Sequence, residues 1–554
     1  MKHLQLFCAV LLSGTMTTGF SQEDPLGKGL DAITLEAVQG QLEFLASDWT
    51  EGRETSTPGI YMAADYIASM FKVYGLEPGG DEKTIYPSRE ERRAGKRPTQ
   101  VGTYFQNFKL IQVEQGENHE LSVNSGARTI HFEPDVDFSV YSSDLSVEVD
   151  APVVFVGYGY VNEKEGYDDF KGVDVKDKII LRLSGYPGHD DPDSKGYETF
   201  KEPTQERRYR RSSPKDDAAK KKGALAIIEV DLNQDVTSGF GSNLPFRYNS
   251  RMYEGDEPPP SVNSLRLRLP EDTLDLDPAR VSVSNRVLNE IIAGSGVNLE
   301  TYANTVKNTL KPAPKAINKV VHLKTDVITK AVQVRNVVGV IPGKDTTSNI
   351  VLGAHYDHLG KYGGVIWNGA DDNASGTVGV MTVAKAMMAT GEKPEKNIIF
   401  CAWTAEEKGL IGSRYFVKNF PDAKESIDLY LNYDMISRDS QDDSLGNNIS
   451  MVYTTGYEAL KDDTEAYSAK YNMDLKIDFR SSVRPSGGSD HTYFAREDIP
   501  VFYFMAGFPE EYHQPDDHVE LVNWDKMVKI IKLGYLNIYK WANQDLEKTV
   551  DSSQ

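Results

Sequence analysis

The chain has 554 residues, more than one ordinary domain core accommodates, so at least two domains are expected. With 39% hydrophobic and 10% aromatic residues, its composition is that of a globular protein. Lysine and arginine number 61 against 83 acidic residues. The resulting formal charge of -22 argues against nucleic acid or an anionic membrane as a partner.

The first 21 residues, MKHLQLFCAVLLSGTMTTGFS, combine a basic start, a short apolar stretch and small residues before a polar run. This pattern is typical of a signal peptide, so we expect an exported protein, periplasmic or extracellular. Once this segment is removed, Cys401 is the last cysteine and no intramolecular disulfide can form. No other apolar run reaches the ~18 residues that a membrane span needs.

The middle of the chain differs from the segments around it in composition and in predicted secondary structure. Two amphipathic helices are predicted between residues 31 and 78. From 140 to 320, short β-branched strands such as APVVFVGYGYV and GALAIIEVD are separated by glycine, proline and charged clusters. This segment is predicted to be a separate β-rich module.

Beyond the module, apolar strands alternate with helices predicted near 375–390, 409–420, 458–471 and 523–543. The alternation predicts an α/β fold with a mixed, mostly parallel sheet between layers of helices. Ligands of such sheets bind where the parallel strands end.

Polar side chains follow four of these strands, and a further pair precedes the helix near 375–390. They are His355 and Asp357, Asp371 and Asp372, Glu406 and Glu407, Asp434, and Tyr512 and His513. Each alone says little, because an acid before a helix usually caps it and complements the helix dipole. Together, however, so many carboxylates on one rim would repel each other unless cations were present.

Histidine and carboxylate are zinc ligands, and a catalytic zinc keeps one position open for water. One histidine and two carboxylates for each of two Zn²⁺ ions are available if Asp371 bridges the pair. His355 and Asp434 then complete one set, and Glu407 and His513 complete the other.

The neighbours of these ligands have different predicted roles. Asp357, two residues beyond His355 and on the same face of the strand, is expected to accept the other ring N–H of that histidine. Asp372 is expected to support the site from outside the ligand set. Glu406, adjacent to a ligand, is predicted to be the general base.

At this point the chain resembles the co-catalytic zinc exopeptidases, which include bacterial leucyl-type aminopeptidases, glutamate carboxypeptidase and, as divergent relatives, glutaminyl cyclases. The resemblance is carried by HYDHLG, GADDNASG, TAEEKGLIGS, NYDMI, SGGSDH and YHQPDD, in that order. It implies the zinc ligands assigned above and a non-proline cis peptide between Asp371 and Asp372.

The resemblance also implies a domain organisation and further roles. Residues 22–139 and 321–554 would form the peptidase domain, and 140–320 an inserted protease-associated domain. Tyr512 would donate to the oxyanion of the reaction. Residues Ser489, Asp490 and His491 are similar to a segment that lines the substrate pocket, although Ser489 and Asp490 fit equally well as a turn that caps the next helix.

The expected activity is that of an exported aminopeptidase acting on peptides with a free N-terminus. A carboxypeptidase is the first alternative, and it needs a basic group to hold the substrate carboxylate. Candidates for that group are Arg438, Arg480, Arg484 and Arg496. The second alternative is a binding protein with structural zinc, which the presence of Glu406 argues against.

Overall fold

The computed structural model describes residues 24–549 except 127, 142, 202–212, 233–265, 275–276 and 422. The predicted signal peptide therefore lies outside the described residues. Among the described residues, no helix combines the length and the apolar character needed to cross a membrane.

The strands fall into two large sheets and three small pairs. In chain order they are β1 Glu77–Pro78, β2 Glu82–Ile85, β3 Thr99–Gly102, β4 Phe105–Gln115, β5 Glu120–Asn124, β6 Thr129–Phe132, β7 Phe138–Val140, β8 Val147–Phe155, β9 Val161–Asn162, β10 Tyr167–Asp168, β11 Ile179–Leu183, β12 Ala226–Val230, β13 Arg266–Arg268, β14 Ala279–Val283, β15 Lys315–Thr325, β16 Val327–Ile341, β17 Asp345–His355, β18 Gly360–Tyr362, β19 Val365–Trp367, β20 Lys396–Trp403, β21 Ile427–Tyr433, β22 Asn448–Thr454, β23 Lys476–Ser482 and β24 Val501–Met505.

The α-helices include all six that the sequence predicts, within a few residues of the expected ends. They are α1 Pro25–Ala32, α2 Leu35–Leu45, α3 Pro58–Tyr74, α4 Arg89–Arg93, α5 Lys195–Phe200, α6 Pro214–Lys221, α7 Asn285–Ile292, α8 Leu299–Thr309, α9 Gly376–Ala389, α10 Ile411–Lys418, α11 Ala459–Lys470, α12 His491–Arg496 and α13 Trp524–Trp541. Helix α3 shows how local sequence sets the ends of a helix. It begins at a proline, buries an apolar face and is capped at its C-terminus by Gly75, whose φ of 92° suits glycine.

The larger sheet has the order β13-β4-β16-β20-β17-β21-β24-β22-β23, with β1 paired to β16. Strands β20, β17, β21 and β24 are parallel neighbours, whereas β16 and β4 continue the sheet in antiparallel fashion. The α/β prediction is confirmed, and the mixed character is stronger than the sequence suggested. Helices α3, α9 and α13 pack in the core on one face, and α10 and α12 pack on the other.

The second sheet has the order β6-β5-β15-β8-β11-β12-β14-β7 and its own apolar cores. It draws strands from Glu120–Asn124 to Lys315–Thr325, so the predicted limits of 140 and 320 are too narrow. The early strands ELSVN and TIHF are short and polar, and they join the sheet only through β15, far along the chain. One strand of the segment, β13, belongs instead to the larger sheet, where it pairs with β4.

Candidate metal centre and active site

The candidate site lies at the carboxyl ends of the parallel strands of the larger sheet. His355 is the last residue of β17, Glu406 and Glu407 follow β20, and Asp434 follows β21. His513 lies in the loop after β24, in a backbone conformation with φ 57°. The fold therefore brings together the strand ends that the sequence reading expected to meet.

The first group of possible ligands surrounds His355. Its Nε2 atom lies 3.4 Å from Asp372 Oδ1 and 3.4 Å from Asp434 Oδ1. These distances exceed those of a good N–H···O hydrogen bond but match two ligands of one tetrahedral zinc, which lie about 3.3 Å apart when each is ~2.0 Å from the ion. Asp434 Oδ1 is buried and has no hydrogen-bond partner among the described residues, so this donor set fits a metal ion.

The second group shares Asp372 with the first. His513 Nε2 lies 2.9 Å from Asp372 Oδ2 and 3.4 Å from Glu407 Oε2. His358 also faces this group, with Nδ1 2.9 Å from Glu407 Oε1. Asp372 thus offers one carboxylate oxygen to each group, as a bridging ligand does.

The assignment of Asp371 as the bridge is wrong in this geometry. Asp371 Oδ1 instead accepts hydrogen bonds from the backbone N–H and the hydroxyl of Ser437, both at 2.8 Å. The cis peptide bond is likewise Asp372–Asn373 rather than Asp371–Asp372. The side chains of two adjacent acids point in different directions, and spacing along the sequence cannot tell which of them faces the rim.

Asp357 supports the site in a way that differs from the prediction. Its carboxylate accepts from the backbone N–H groups of Glu406 and Glu407, at 3.0 and 3.3 Å. The atom nearest to His355 Nδ1 is the backbone carbonyl oxygen of Asp357, at 3.2 Å, whereas the carboxylate is 3.8 Å away. Asp357 therefore fixes the segment that carries both glutamates.

Ser489, Asp490 and His491 are buried beneath the site instead of lining an open pocket. Ser489 Oγ accepts from Asn432, and the His491 ring stacks on Tyr503 at 4.3 Å. Burial raises the pKa of Asp490 to about 7 and lowers that of His491 to about 3. These residues form the packed start of helix α12, and their contact with a substrate stays a prediction.

Tyr512 lies against the second group, next to His513. Its ring stacks on that of His513, with the centroids 3.8 Å apart. Burial and the carboxylates of Asp372 and Glu407 raise the pKa of Tyr512, so its hydroxyl stays protonated. It can donate a hydrogen bond toward the space beside the two groups.

The electrostatics of the site reflect an excess of buried negative charge. Burial raises the pKa of Glu406 well above its ordinary value. Burial alone would lower the pKa of His513, but Glu407 and Asp372 outweigh it and raise that pKa to about 11. The pKa of His355 is likewise raised, because Glu406 and Asp434 outweigh the effect of burial. These raised pKa values favour the protonated forms of Glu406, His355 and His513. Protons thus reduce the negative charge that metal cations would otherwise compensate.

Two residues that support the backbone around the site were given no role from the sequence. Arg53 is fully buried and donates to four backbone carbonyls, those of Leu45, Tyr356, Asn368 and Gly369. Asp517 accepts from the backbone N–H groups of Asp371 and Asp372. An arginine flanked by TEG and ETS gave no sequence signal, because three of its four carbonyl partners lie more than 300 residues away.

Comparison with known proteins matches residues 336–535 to Peptidase family M28. Residues 336–535 form a Peptidase family M28 domain. The M28 domain contains every ligand candidate described above, from His355 to His513. Tyr512 and Glu406 lie within it as well.

Relatives of known name support this assignment. Over 175 residues the chain is 33% identical to "Leupeptin-inactivating enzyme 1" of Streptomyces exfoliatus, covering 31% of this chain and 36% of that protein. Over 173 residues it is 32% identical to "Leucine aminopeptidase 2" of Trichophyton rubrum, covering 31% and 33%. The chain spans about a third of the length of these two curated relatives.

A solved structure extends the likeness in fold beyond the M28 domain. The "Aminopeptidase from Aneurinibacillus sp. strain AM-1" superposes with a TM-score of 0.56 at 18% identity. The match covers 95% of this chain and 98% of that one. The shared architecture therefore includes nearly the whole chain.

Proposed function

We propose that this protein is an exported aminopeptidase that uses two zinc ions to remove N-terminal residues from peptides. The observation that carries the proposal is the pair of histidine–carboxylate groups that share Asp372. Glu406 lies beside them, with Oε2 3.9 Å from His355 Nε2 and outside both groups. A purely structural metal site has no use for an additional buried carboxylate at that position.

The ligand assignment follows from the distances. His355, Asp372 and Asp434 would hold one zinc ion, and Asp372, Glu407 and His513 would hold the other. When bound, the two ions polarise the scissile carbonyl and lower the pKa of a water toward ~7. The remaining steps belong to the side chains of this chain.

Glu406 acts as general base and then as general acid. Its buried carboxyl has a raised pKa in the absence of cations, and two neighbouring positive ions favour the ionised form. The carboxylate accepts a proton from the attacking water and later delivers it to the leaving amine. Asp357 holds the backbone N–H of Glu406 and so fixes the position of this base.

Tyr512 supplies the hydrogen bond to the developing oxyanion. Its hydroxyl keeps its proton at neutral pH, because burial and nearby carboxylates raise its pKa. A donor aimed at charge that develops only in the transition state lowers the barrier more than a donor that binds the ground state equally well. Tyr512 is therefore assigned to transition-state stabilisation.

Cleavage from the N-terminus is favoured over cleavage from the C-terminus. A carboxypeptidase needs an available cation for the substrate carboxylate, and the four arginines considered from the sequence already have partners. Arg438 pairs with Glu511 and lies near Asp517, Arg480 pairs with Asp478, Arg484 pairs with Asp498, and Arg496 lies over the ring of Tyr493. The acidic character of the site instead suits the ammonium group of a free N-terminus.

The decisive experiment compares three peptides of one sequence, free at both ends, N-acetylated or C-amidated. Each is incubated with the zinc-loaded protein and followed by mass spectrometry, with the Glu406→Gln variant as the control for contaminating peptidases. We expect stepwise loss from the front that acetylation blocks and amidation does not. Trimming from the back that amidation blocks would establish the carboxypeptidase, and no cleavage of any peptide would favour a binding protein.

Export is part of the proposal and rests on residues 1–21 of the sequence. Intact-mass measurement of the protein from an extracytoplasmic fraction tests it. We expect a chain that begins after Ser21, and a full-length chain confined to the cytoplasm would contradict export.

A further inference from the structure

His358 lies in the loop after β17 and is fully buried, although it belongs to none of the assigned ligand sets. Its Nδ1 atom lies 2.9 Å from Glu407 Oε1. The other oxygen of the same carboxylate, Oε2, lies 3.4 Å from His513 Nε2. His358 is therefore close to one carboxylate oxygen of Glu407, and His513 is close to the other.

The position of the His358 ring is fixed from two sides. Its backbone N–H donates to the carbonyl oxygen of Arg53 at 3.2 Å. Gly369 lies against the ring, and a Cβ atom at that residue would come within 2.4 Å of His358 Cδ2. The segment that leads into Asp372 thus has to pass the imidazole without a side chain. A ring held this way can impose an orientation on its partner.

The distances distinguish a hydrogen-bond donor from a further metal ligand. His513 Nε2 is close to both carboxylates of its group, at 2.9 and 3.4 Å. His358 Nδ1 is close to Glu407 but 3.9 Å from Asp372 Oδ2. A nitrogen that shares an ion with both acids is expected near both, whereas a donor needs to be near only one.

We infer that His358 is a positioning residue that donates its Nδ1–H to Glu407 Oε1 and turns Oε2 toward the second zinc ion. The inference rests on the proposed two-zinc function and adds a residue to it. The imidazole prevents Glu407 from rotating away from the ion or binding it through both oxygens. Supporting partners of this kind typically change metal affinity 10–100-fold.

The test compares zinc affinities of full-length wild type, His358→Ala, His358→Asn and the control His131→Ala, which removes an exposed imidazole from the second sheet. Zinc is titrated against a fluorescent chelator, and folding is checked by thermal melting. We expect His358→Ala to weaken the second zinc about 10–100-fold and to leave the first unchanged. His358→Asn, which keeps an N–H donor close to the position of Nδ1, should restore most of the loss, and the control should match wild type.

Zinc-edge X-ray absorption supplies a readout that a merely structural role would not change. With His355 and His513 as the ligands, wild type should average one imidazole per zinc, and His358→Asn should not alter that number. Unchanged affinity in His358→Ala, no rescue by His358→Asn, or an imidazole average above one that falls in the variants would each overturn the inference. Wild type that binds only one zinc would overturn both proposals, whereas two bound zincs without any peptide cleavage would overturn the proposed function alone.

Discussion

Buried charge is handled in opposite ways in the two sheets. Beside the second sheet, just after β10, Asp169 accepts hydrogen bonds from two backbone N–H groups and from the hydroxyls of Tyr167 and Tyr302. Arg182 in the same sheet pairs with Asp216 and Glu229. Hydrogen bonds and ion pairs from the protein itself hold both Asp169 and Arg182, which is the arrangement expected of a structural network.

At the strand ends of the larger sheet the charges do not balance. Four carboxylates, those of Asp372, Glu406, Glu407 and Asp434, converge on His355 and His513. Within the part of the chain that the structure describes, Asp434 Oδ1 lacks a hydrogen-bond partner, and the carboxylates raise the pKa of both histidines. The role of a buried acid therefore depends on whether its neighbours satisfy it with hydrogen bonds or opposite charge, as the neighbours of Asp169 do. Where they do not, cations are expected.

Exchanging the bridging acid should have the largest effect. Asp372→Asn removes an anionic oxygen from both groups, so we expect loss of both zinc ions and a fall in kcat/KM on the order of 10⁴, since metal and general-base catalysis are both lost. Elemental analysis and peptide cleavage measure the two effects. The matched variant is Asp371→Asn, whose amide oxygen can still accept from Ser437. Equal zinc loss in both variants would remove the distinction between the adjacent acids.

Removing the general base should separate chemistry from metal binding. In Glu406→Gln we expect kcat to fall by about 10²–10⁴ while two zinc ions remain bound, because general acid–base catalysis contributes a factor of that size. Glu425→Gln, a change at an exposed glutamate, serves as the control. Substantial residual activity in Glu406→Gln would mean that another group accepts the proton.

The second sheet provides the reverse case. Asp169→Asn weakens four hydrogen bonds to a fully buried carboxylate, so we expect the free energy of unfolding to fall by about 1–3 kcal/mol. Denaturant titration measures this change. Zinc content and kcat should stay at wild-type values. A variant with lower zinc affinity would show that the two charged regions are coupled, contrary to the comparison.

The smallest expected effect is in the pH dependence of zinc stabilisation. Without metal, the raised pKa of His513, about 11, contributes stability that is present below its unfolded value of about 6.5 and is lost as pH rises toward 11. Zinc must displace this proton, so its binding is favoured by rising pH. We therefore expect zinc to raise the melting temperature more at about pH 8 than at about pH 6. A zinc effect that does not change with pH would mean that the site holds no protons to displace, and the opposite trend would mean that zinc binding takes up protons; either would contradict the prediction.

Most of the fold could be predicted from local patterns. The runs NIIFCAW and LYLNY are nearly continuous apolar segments, as parallel strands covered on both faces must be, and both became central strands. The module boundary was wrong because β5 and β6 depend on pairing with β15, about 190 residues later. A short polar strand carries little sequence signal of its own when its partner strand is so far away along the chain.

The site was predictable to the level of segments but not of single side chains. The strand ends carrying His355, Glu407 and Asp434 meet as expected. Which of Asp371 and Asp372 bridges the two groups depends on the local backbone conformation. That conformation could not be predicted from the sequence pattern. The roles of Arg53 and His358 depend on carbonyls and carboxylates that only the folded chain brings near them.

In the proposed site, two cations bind the two groups of ligands that share Asp372. Anomalous diffraction at the zinc edge from crystals of the zinc-loaded protein tests it most directly. We expect two peaks, one among His355, Asp372 and Asp434 and the other among Asp372, Glu407 and His513. A single peak, or a peak beside Asp371 with none touching Asp372, would contradict it.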